Sequence, residues 1–221
     1  FYFIAALCTA VLHCNNFGLL EKLENPGGNS GTGIIKTYIF THDAVTLGDM
    51  SGLVNGGCSG NGLGRADCAC HDKAVAAGLT KNQNAKFIAW LSDGSNDMKC
   101  RIQDKPGQTI CTIPTTTIEW YNPLNQLVAG GYTQLFSGQL LANINYAASG
   151  GSTPAGNNAY TGTLTEGSNN GGAAAVNCNN WTANVSQTAS GGTTGSMTAS
   201  WTTGGSPSCA SSAYIICIGV R

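Results

Sequence analysis

Cysteine is the residue type with the greatest chemical potential in this chain of 221 residues, which contains ten cysteines. Cys8 and Cys14 lie in the predicted N-terminal leader. An even set of eight remaining, mostly well-separated cysteines predicts a disulfide framework formed in an oxidising compartment. No metal site is predicted from the spacing, because Cys68 and Cys70 form C-x-C rather than C-x-x-C. The eight cysteines are Cys58, Cys68, Cys70, Cys100, Cys111, Cys178, Cys209 and Cys217.

Two short motifs could carry nucleophilic or acid–base chemistry, and neither is predicted to do so. Cys70, His71 and Asp72 are consecutive in a predicted helix, where neighbours point about 100° apart and cannot converge on one substrate. His42-Asp43 follows a predicted strand and is typical of a polar turn. The sequence displays no paired carboxylates of the kind that general acid–base catalysis uses. We therefore expect a protein that is not an enzyme and that uses no metal or other cofactor.

The charge pattern limits the classes of partner. The formal net charge is -1 and charged residues make up 10% of the chain, so no electrostatic field favours nucleic acid. Between Tyr121 and Val220 the only charged side chain is Glu166, while Gly, Ser, Thr and Asn are abundant. This composition predicts many turns and long, neutral loops in the second half of the chain.

The N-terminal residues predict export and a lipid anchor. Phe1 to Leu12 is an apolar run of signal-peptide length, shorter than the roughly 20 residues that span a bilayer. Val11-Leu12-His13-Cys14 is similar to a bacterial lipobox, although His13 occupies a position that is usually small. We expect a signal peptide over 1–14 with lipidation at Cys14, and a flexible tether over 15–33. The alternative is a plain secretory leader with a chance cysteine.

Residues 34–221 are predicted to form one domain whose elements position the cysteines. Strands are predicted at 34–40, 86–91 and 213–218, and the first and last of these are expected to pair in one sheet. A helix is predicted over 65–77, with Gly78 ending it and Asp67 in its first turn. On that helix Cys70 faces the core and Cys68 faces outward, so the two cannot pair with each other. A shorter helix is predicted over 132–136.

Several local patterns, taken together and in this order, resemble endostatin and the bacterial endostatin-like domains, which share a C-type-lectin-like fold. With the predicted leader and tether, the chain most resembles the endostatin-like outer-surface lipoproteins of leptospires. The matching pieces are Ala66-Asp67-Cys68-Ala69-Cys70, Ala77-Gly78-Leu79, Phe87-Ile88-Ala89-Trp90-Leu91-Ser92, Gln134-Leu135-Phe136-Ser137-Gly138, Asn177-Cys178-Asn179-Asn180-Trp181 and the closing stretch from Ser208 to Ile218.

The resemblance implies an α+β domain with a mixed, mostly antiparallel sheet, one main and one short helix, long loops and disulfide bonds. It also implies two nested disulfides, Cys70–Cys217 and Cys178–Cys209. The other four cysteines allow three pairings, of which we favour the local ones, Cys58 with Cys68 and Cys100 with Cys111.

Ligand contacts are expected on the polar loops from about Ser149 to Ser208. Trp201 lies in a Gly/Ser/Thr-rich stretch and is the preferred aromatic contact, whereas Trp181 is favoured as a core residue. Asn179 and Asn180 are the polar candidates. A calcium site is not expected, because no Asp or Glu lies between Cys178 and Cys209.

The predicted function is that of an adhesin-like lipoprotein at the cell surface or outer membrane. By resemblance its partners are extracellular-matrix glycoproteins of the laminin or fibronectin class, or the complement regulator factor H. Contact with the membrane is expected through the lipid anchor alone. The alternative hypothesis is a structural cell-envelope lipoprotein that binds no host molecule.

Overall fold

The computed structural model describes residues 34–53, 57–60, 62–80, 85–170 and 177–220. The predicted signal peptide 1–14, the lipidation residue Cys14 and the predicted tether 15–33 lie outside the described residues. In chain order the elements are β1 (Ile35–Thr41), α1 (Gly62–Ala76), β2 (Lys86–Ala89), α2 (Met98–Arg101), β3 (Ile118–Tyr121), β4 (Leu127–Ala129), α3 (Tyr132–Leu135), β5 (Asn158–Tyr160), α4 (Cys178–Trp181), β6 (Gly191–Thr193), α5 (Ser200–Thr203) and β7 (Tyr214–Val220).

The described strands form a seven-stranded mixed sheet in which β7 is the most connected strand. It pairs antiparallel with β1 and with β2, and parallel with β5. On the far side of β1, β3 runs parallel to it and β4 pairs antiparallel with β3. β6 completes the sheet beyond β5. The mixed, mostly antiparallel sheet is therefore confirmed, and so is the pairing of the first and last strands.

β7 is central because its sequence is apolar on both faces. Alternate residues of a strand point to opposite faces, so Ile215 and Cys217 enter one core while Ile216 and Ile218 enter another. The first, which we call the helix-side core, also holds Phe40, Phe87, Trp181 and the buried residues of α1. The second, the tryptophan core, holds Trp90, Trp120 and Trp201. Both faces of β7 are thus covered, as its sequence predicts.

α1 begins at Gly62, three residues before the predicted start, and its buried face carries small side chains. Ala66, Ala69, Cys70 and Ala74 are buried there, which lets the helix lie close to the sheet. Gly78 adopts a φ of 72° and ends the helix as predicted. The other helical elements of the described part are single turns, and α3 corresponds to the predicted helix at 132–136. None of the described helices has both the length and the apolar content that a bilayer crossing requires.

Asp67 does not lie in the first turn of α1, so that prediction was wrong. Because the helix begins earlier, Asp67 is its sixth residue and is too far from the N-terminus to interact with the first-turn N–H groups. Its carboxylate instead accepts a hydrogen bond of 2.9 Å from the Ala89 N–H and forms an ion pair with Arg101. Asp67 therefore connects α1 to β2 and α2.

Four disulfides connect these elements, and their pairing is the one that the sequence analysis favoured. Cys70–Cys217 joins α1 to β7, with the two Cα atoms 5.3 Å apart and a sequence separation of 147 residues. Cys178–Cys209 spans 31 residues. Cys58–Cys68 and Cys100–Cys111 close short loops of 10 and 11 residues.

Loop length makes a measurable prediction about the disulfides. By the chain-entropy argument, replacing Cys70 and Cys217 with alanine should lower the free energy of unfolding by about 5 kcal/mol, because that bond closes the longest loop. The matched control, Cys58→Ala with Cys68→Ala, should cost roughly 3 kcal/mol or less. Guanidinium unfolding followed by circular dichroism measures both. An equal loss in the two variants would show that loop length is not the source of stability.

Candidate functional site

Trp201 is fully buried, so the prediction that it contacts ligand was wrong. Its ring packs against Trp90, with ring centroids 4.7 Å apart, and the Trp90 indole N–H donates to the Thr202 hydroxyl at 2.9 Å. The reason lies in β6, where a Cβ atom on Gly192 would lie only 1.9 Å from the Trp201 carbonyl oxygen. Glycine lets α5 approach the strand closely, and the neighbouring indole is directed into the tryptophan core.

Asn179 and Asn180 are exposed as expected, but their side chains take part in an unusual turn. All four residues of α4 have φ between 52° and 62°, so the turn is left-handed. Asparagine adopts this conformation more readily than most residues. The Asn180 side chain accepts from the Gly94 N–H at 3.0 Å, and the Asn179 side chain donates to the Thr182 hydroxyl at 3.2 Å. Both amides therefore stabilise the turn that carries Cys178 and the buried Trp181.

Tyr121 is a partly exposed aromatic residue of β3 that already has partners. Its hydroxyl donates to Glu119 at 2.7 Å, and the Lys36 ammonium lies 4.3 Å from its ring centroid. Lys36 also donates to the Asn125 side chain at 3.1 Å. Lys36 of β1 and the Tyr121 ring of β3 form a cation–π contact. A ligand that stacks on the same face of this ring would have to displace Lys36.

A pair of adjoining grooves forms an extended concave surface in the described part of the chain. The first has a volume of about 680 Å³ and the second about 310 Å³. Pro114, Thr116 and Tyr132 line both, so the two depressions flank one short segment, and we call them the Thr116 grooves. Further lining residues are Ile113, Thr115, Thr117, Gly130, Gly131, Thr133, Gln134, Ser137 and Gln139 in the first groove, and Ile35, Ile102, Gln103, Lys105 and Ile118 in the second.

Three features of the sequence position these grooves. β3 begins just after Thr117 and β4 ends just before Gly130, which brings both segments to one end of the sheet. The Cys100–Cys111 disulfide fastens the exposed loop before the groove to α2, where Cys100 is fully buried. The Gln103 side chain then donates to the Thr112 carbonyl at 2.9 Å. The loop is thereby held at two points while its outer residues remain exposed.

The lining of the Thr116 grooves is almost free of charge. Lys105 is the one charged residue among the lining residues, and it belongs to the second groove. Burial raises the pKa of Tyr132, so its hydroxyl stays neutral. Ile113, which lines the first groove, is 41% exposed, and Ile110, three residues earlier in the chain, is 91% exposed. Hydroxyls, amides and exposed isoleucines suit a surface that binds by shape and hydrogen bonds.

These grooves are not predicted from the sequence, because the sequence pattern of their lining is weak. Thr115, Thr116 and Thr117 form a run of hydroxyl side chains after two isoleucines, which could equally be an ordinary strand entry. Ile110 is 91% exposed in the structure, although its sequence neighbours give no sign of that exposure. Neither the grooves nor the exposure of Ile110 can be predicted from the spacing of residues in the sequence alone.

No family model matches this chain, and no curated protein matches it at a significant level. The function is therefore argued from the residues and their geometry.

His42-Asp43 forms a corner after β1, and His42 is 2% exposed. Its Nδ1 accepts from the Ala44 N–H at 3.0 Å, and its Nε2 has no hydrogen-bond partner among the described residues. Asp43 forms an ion pair of 2.8 Å with Lys73 of α1. Burial lowers the pKa of His42 below 6.5, more than the attraction of Asp43 raises it.

The buried His42 predicts that stability falls in mild acid. Because its pKa is lower in the folded state, the unfolded chain binds more protons below pH 6.5, and the free energy of unfolding should decrease as pH falls from about 7 to about 5. His42→Gln should flatten this part of the pH profile in urea unfolding. His71→Gln is the control, and it should leave the His42-dependent slope in place. An unchanged slope in His42→Gln would contradict the assignment.

The position of Trp201 predicts a large effect on stability. Trp201→Ala should cost about 3–5 kcal/mol of unfolding free energy, because it leaves a cavity in the tryptophan core. Ile110→Ala is the matched control and should change stability by less than about 0.5 kcal/mol, since that side chain is exposed. Thermal and denaturant unfolding measure both. A small effect of Trp201→Ala would restore this residue as a candidate for ligand contact.

Proposed function

We propose that this protein is an adhesin-like binding module, exported and anchored by a lipid at Cys14 to the outer membrane or cell surface, and that it is not an enzyme. The observation that carries the binding function is the pair of nearly uncharged Thr116 grooves, with the exposed Ile113 in the lining of the first and the exposed Ile110 three residues before it. Their volumes of about 680 and 310 Å³ compare with the roughly 300–1,000 Å³ of common ligand sites.

The chemistry of the grooves supports a protein or glycoprotein partner. Interfaces bury an apolar centre and surround it with polar groups that exchange hydrogen bonds. Ile110, Ile113 and Pro114 supply the apolar part here, and Thr115 and Thr116 supply hydroxyls. Because Lys105 is the one charged residue in the lining, electrostatic steering should be small and binding should depend weakly on salt.

The fold class that we propose in detail is C-type-lectin-like, of the endostatin-like type. The paired chain ends, the disulfide between the main helix and the last strand, and the second disulfide nested within it support this assignment. By resemblance the partner class is extracellular-matrix glycoprotein, such as laminin or fibronectin, or factor H. Disulfides in the described part agree with an oxidising compartment outside the cytoplasm.

The test is a binding assay with a charge placed in the grooves. The purified full chain is immobilised, and binding of laminin, fibronectin and factor H is measured by surface plasmon resonance. Thr116→Lys should weaken binding of the recognised partner tenfold or more, about 1.4 kcal/mol, because an uncompensated charge would be desolvated. The exposed hydroxyl residue Ser186, on the loops first expected to bind, provides the control Ser186→Lys, which should bind normally.

The other results have definite meanings. If Ser186→Lys loses binding and Thr116→Lys does not, the ligand contacts the loops and the groove assignment is wrong. If the folded chain binds none of the three partners but cross-links to other envelope components in cells, it is a structural envelope lipoprotein, the alternative hypothesis.

A further inference from the structure

Cys58, Cys68 and Asp72 form a cluster that the binding function does not use. One ligand-type atom from each residue lies within 4.8 Å of the others, and all three residues are partly exposed. Cys68 and Asp72 are four residues apart on α1, so they share one face of the helix. The two sulfurs are bonded to each other, so in the oxidised protein they are not thiolate ligands.

Asp72 is placed without a compensating partner. Its Oδ2 lies 3.3 Å from the Cys58 sulfur, and a disulfide sulfur has no hydrogen to donate. In the described part of the chain no Lys, Arg or His lies within ion-pair distance of Asp72, and its carboxylate accepts no hydrogen bond from an N–H or hydroxyl group. Once the bond is reduced, two thiolates and this carboxylate would form a ligand set of the kind that binds a divalent cation.

We propose that Cys58, Cys68 and Asp72 form a redox-gated site for a thiophilic divalent cation, with Zn²⁺ as the best-fitting ion. Two thiolates, one carboxylate and a water complete the four-coordinate shell that Zn²⁺ prefers, and protein ligand sets with one open position are common. The inference does not depend on the proposed adhesin function.

The gating step balances as an ordinary thiol–disulfide exchange. A low-molecular-weight thiol attacks the Cys58–Cys68 bond, and a second thiol releases the mixed disulfide. The protein gains two thiols, while two molecules of the small thiol are oxidised to one disulfide. Zn²⁺ then displaces one proton from each cysteine, and both protons pass to the solvent.

Burial makes this bond the most accessible of the four. Cys58 and Cys68 are both partly exposed, whereas each of the other bonds has at least one fully buried cysteine. Reduction should also be local, because Cys70–Cys217 still joins α1 to β7 and closes a loop of 147 residues rather than 10. The cluster can therefore open while the sheet and the helix stay together.

The experiment combines mild reduction with metal titration of the full chain. After treatment with a limiting thiol, alkylation and peptide mapping should label Cys58 and Cys68 first. The reduced chain should then take up one Zn²⁺ in a chelator competition, and Co²⁺ should produce the thiolate charge-transfer and tetrahedral visible bands. The unreduced chain, and the variant with Cys58→Ala and Cys68→Ala, should show neither.

Acidic variants test the third ligand. Asp72→Asn should weaken Zn²⁺ binding by roughly 10- to 100-fold. A loss of this size follows even when a residue that only hydrogen-bonds to a metal ligand is removed, so loss of a direct ligand should cost at least as much. Asp104→Asn, an equivalent change at an exposed aspartate outside the cluster, should bind Zn²⁺ as the parent does. Circular dichroism reports whether each variant keeps its fold.

Several outcomes would overturn the proposal. These are labelling of Cys70 and Cys217 as fast as Cys58, equal Zn²⁺ uptake before and after reduction, and equal affinity in Asp72→Asn. If reduction itself unfolds the chain, Cys58→His is titrated instead, because it presents an imidazole, a thiol and a carboxylate without any reductant. No tight Zn²⁺ binding by a folded Cys58→His variant would then refute the site.

Discussion

The Cys70–Cys217 bond is the constraint on which the described architecture depends. It joins the one long helix to the strand that pairs with three others, and both sulfurs lie inside the helix-side core. The helix can approach the sheet because its buried face carries alanines rather than larger side chains. This close approach brings the Cα atoms of Cys70 and Cys217 to 5.3 Å from each other, although the two residues are 147 positions apart in the sequence.

The ion pair between Asp67 and Arg101 extends that unit toward the grooves. Arg101 is 7% exposed, and its guanidinium also donates to the carbonyl groups of Ala89 and Leu91. A buried charge is tolerated only when its hydrogen-bonding capacity is satisfied, as it is here. Arg101 follows Cys100 directly, and Cys100 fastens the loop that borders the Thr116 grooves. Helix, sheet and groove are thus connected through adjacent residues of α2.

Buried and exposed side chains are not distributed along the described part of the chain as its composition suggests. The glycine-rich second half, expected to form free loops, contributes Trp201 and Trp181 to the two cores and uses Asn179 and Asn180 to hold a left-handed turn. The exposed Ile113 instead lines the first Thr116 groove at one end of the sheet, beside neutral hydroxyls. This position supports the contact surface proposed at that end. Among the four disulfides, Cys58–Cys68 is the bond that solvent reaches most easily, because both of its cysteines are partly exposed.

The sequence by itself determined the properties that depend on local pattern. The apolar runs of β1 and β7, the helix that ends before Gly78 and the orientation of Cys70 toward the core all follow from side-chain periodicity, which acts over a few residues. The long-range disulfide pairing came from the resemblance rather than from spacing. The single charged side chain between Tyr121 and Val220, Glu166, also indicated a nearly neutral surface, although not where that surface lies.

Only the tertiary structure decided which side chains are exposed and which meet. Trp201 is buried because Gly192, nine residues earlier, lets two backbones approach, and Asp67 finds Arg101 thirty-four residues away. The Thr116 grooves form where the start of β3, the end of β4 and a disulfide-held loop meet at one end of the sheet. Burial and contact between distant segments depend on how the whole chain packs. Local side-chain periodicity does not determine that packing, because it acts over only a few residues.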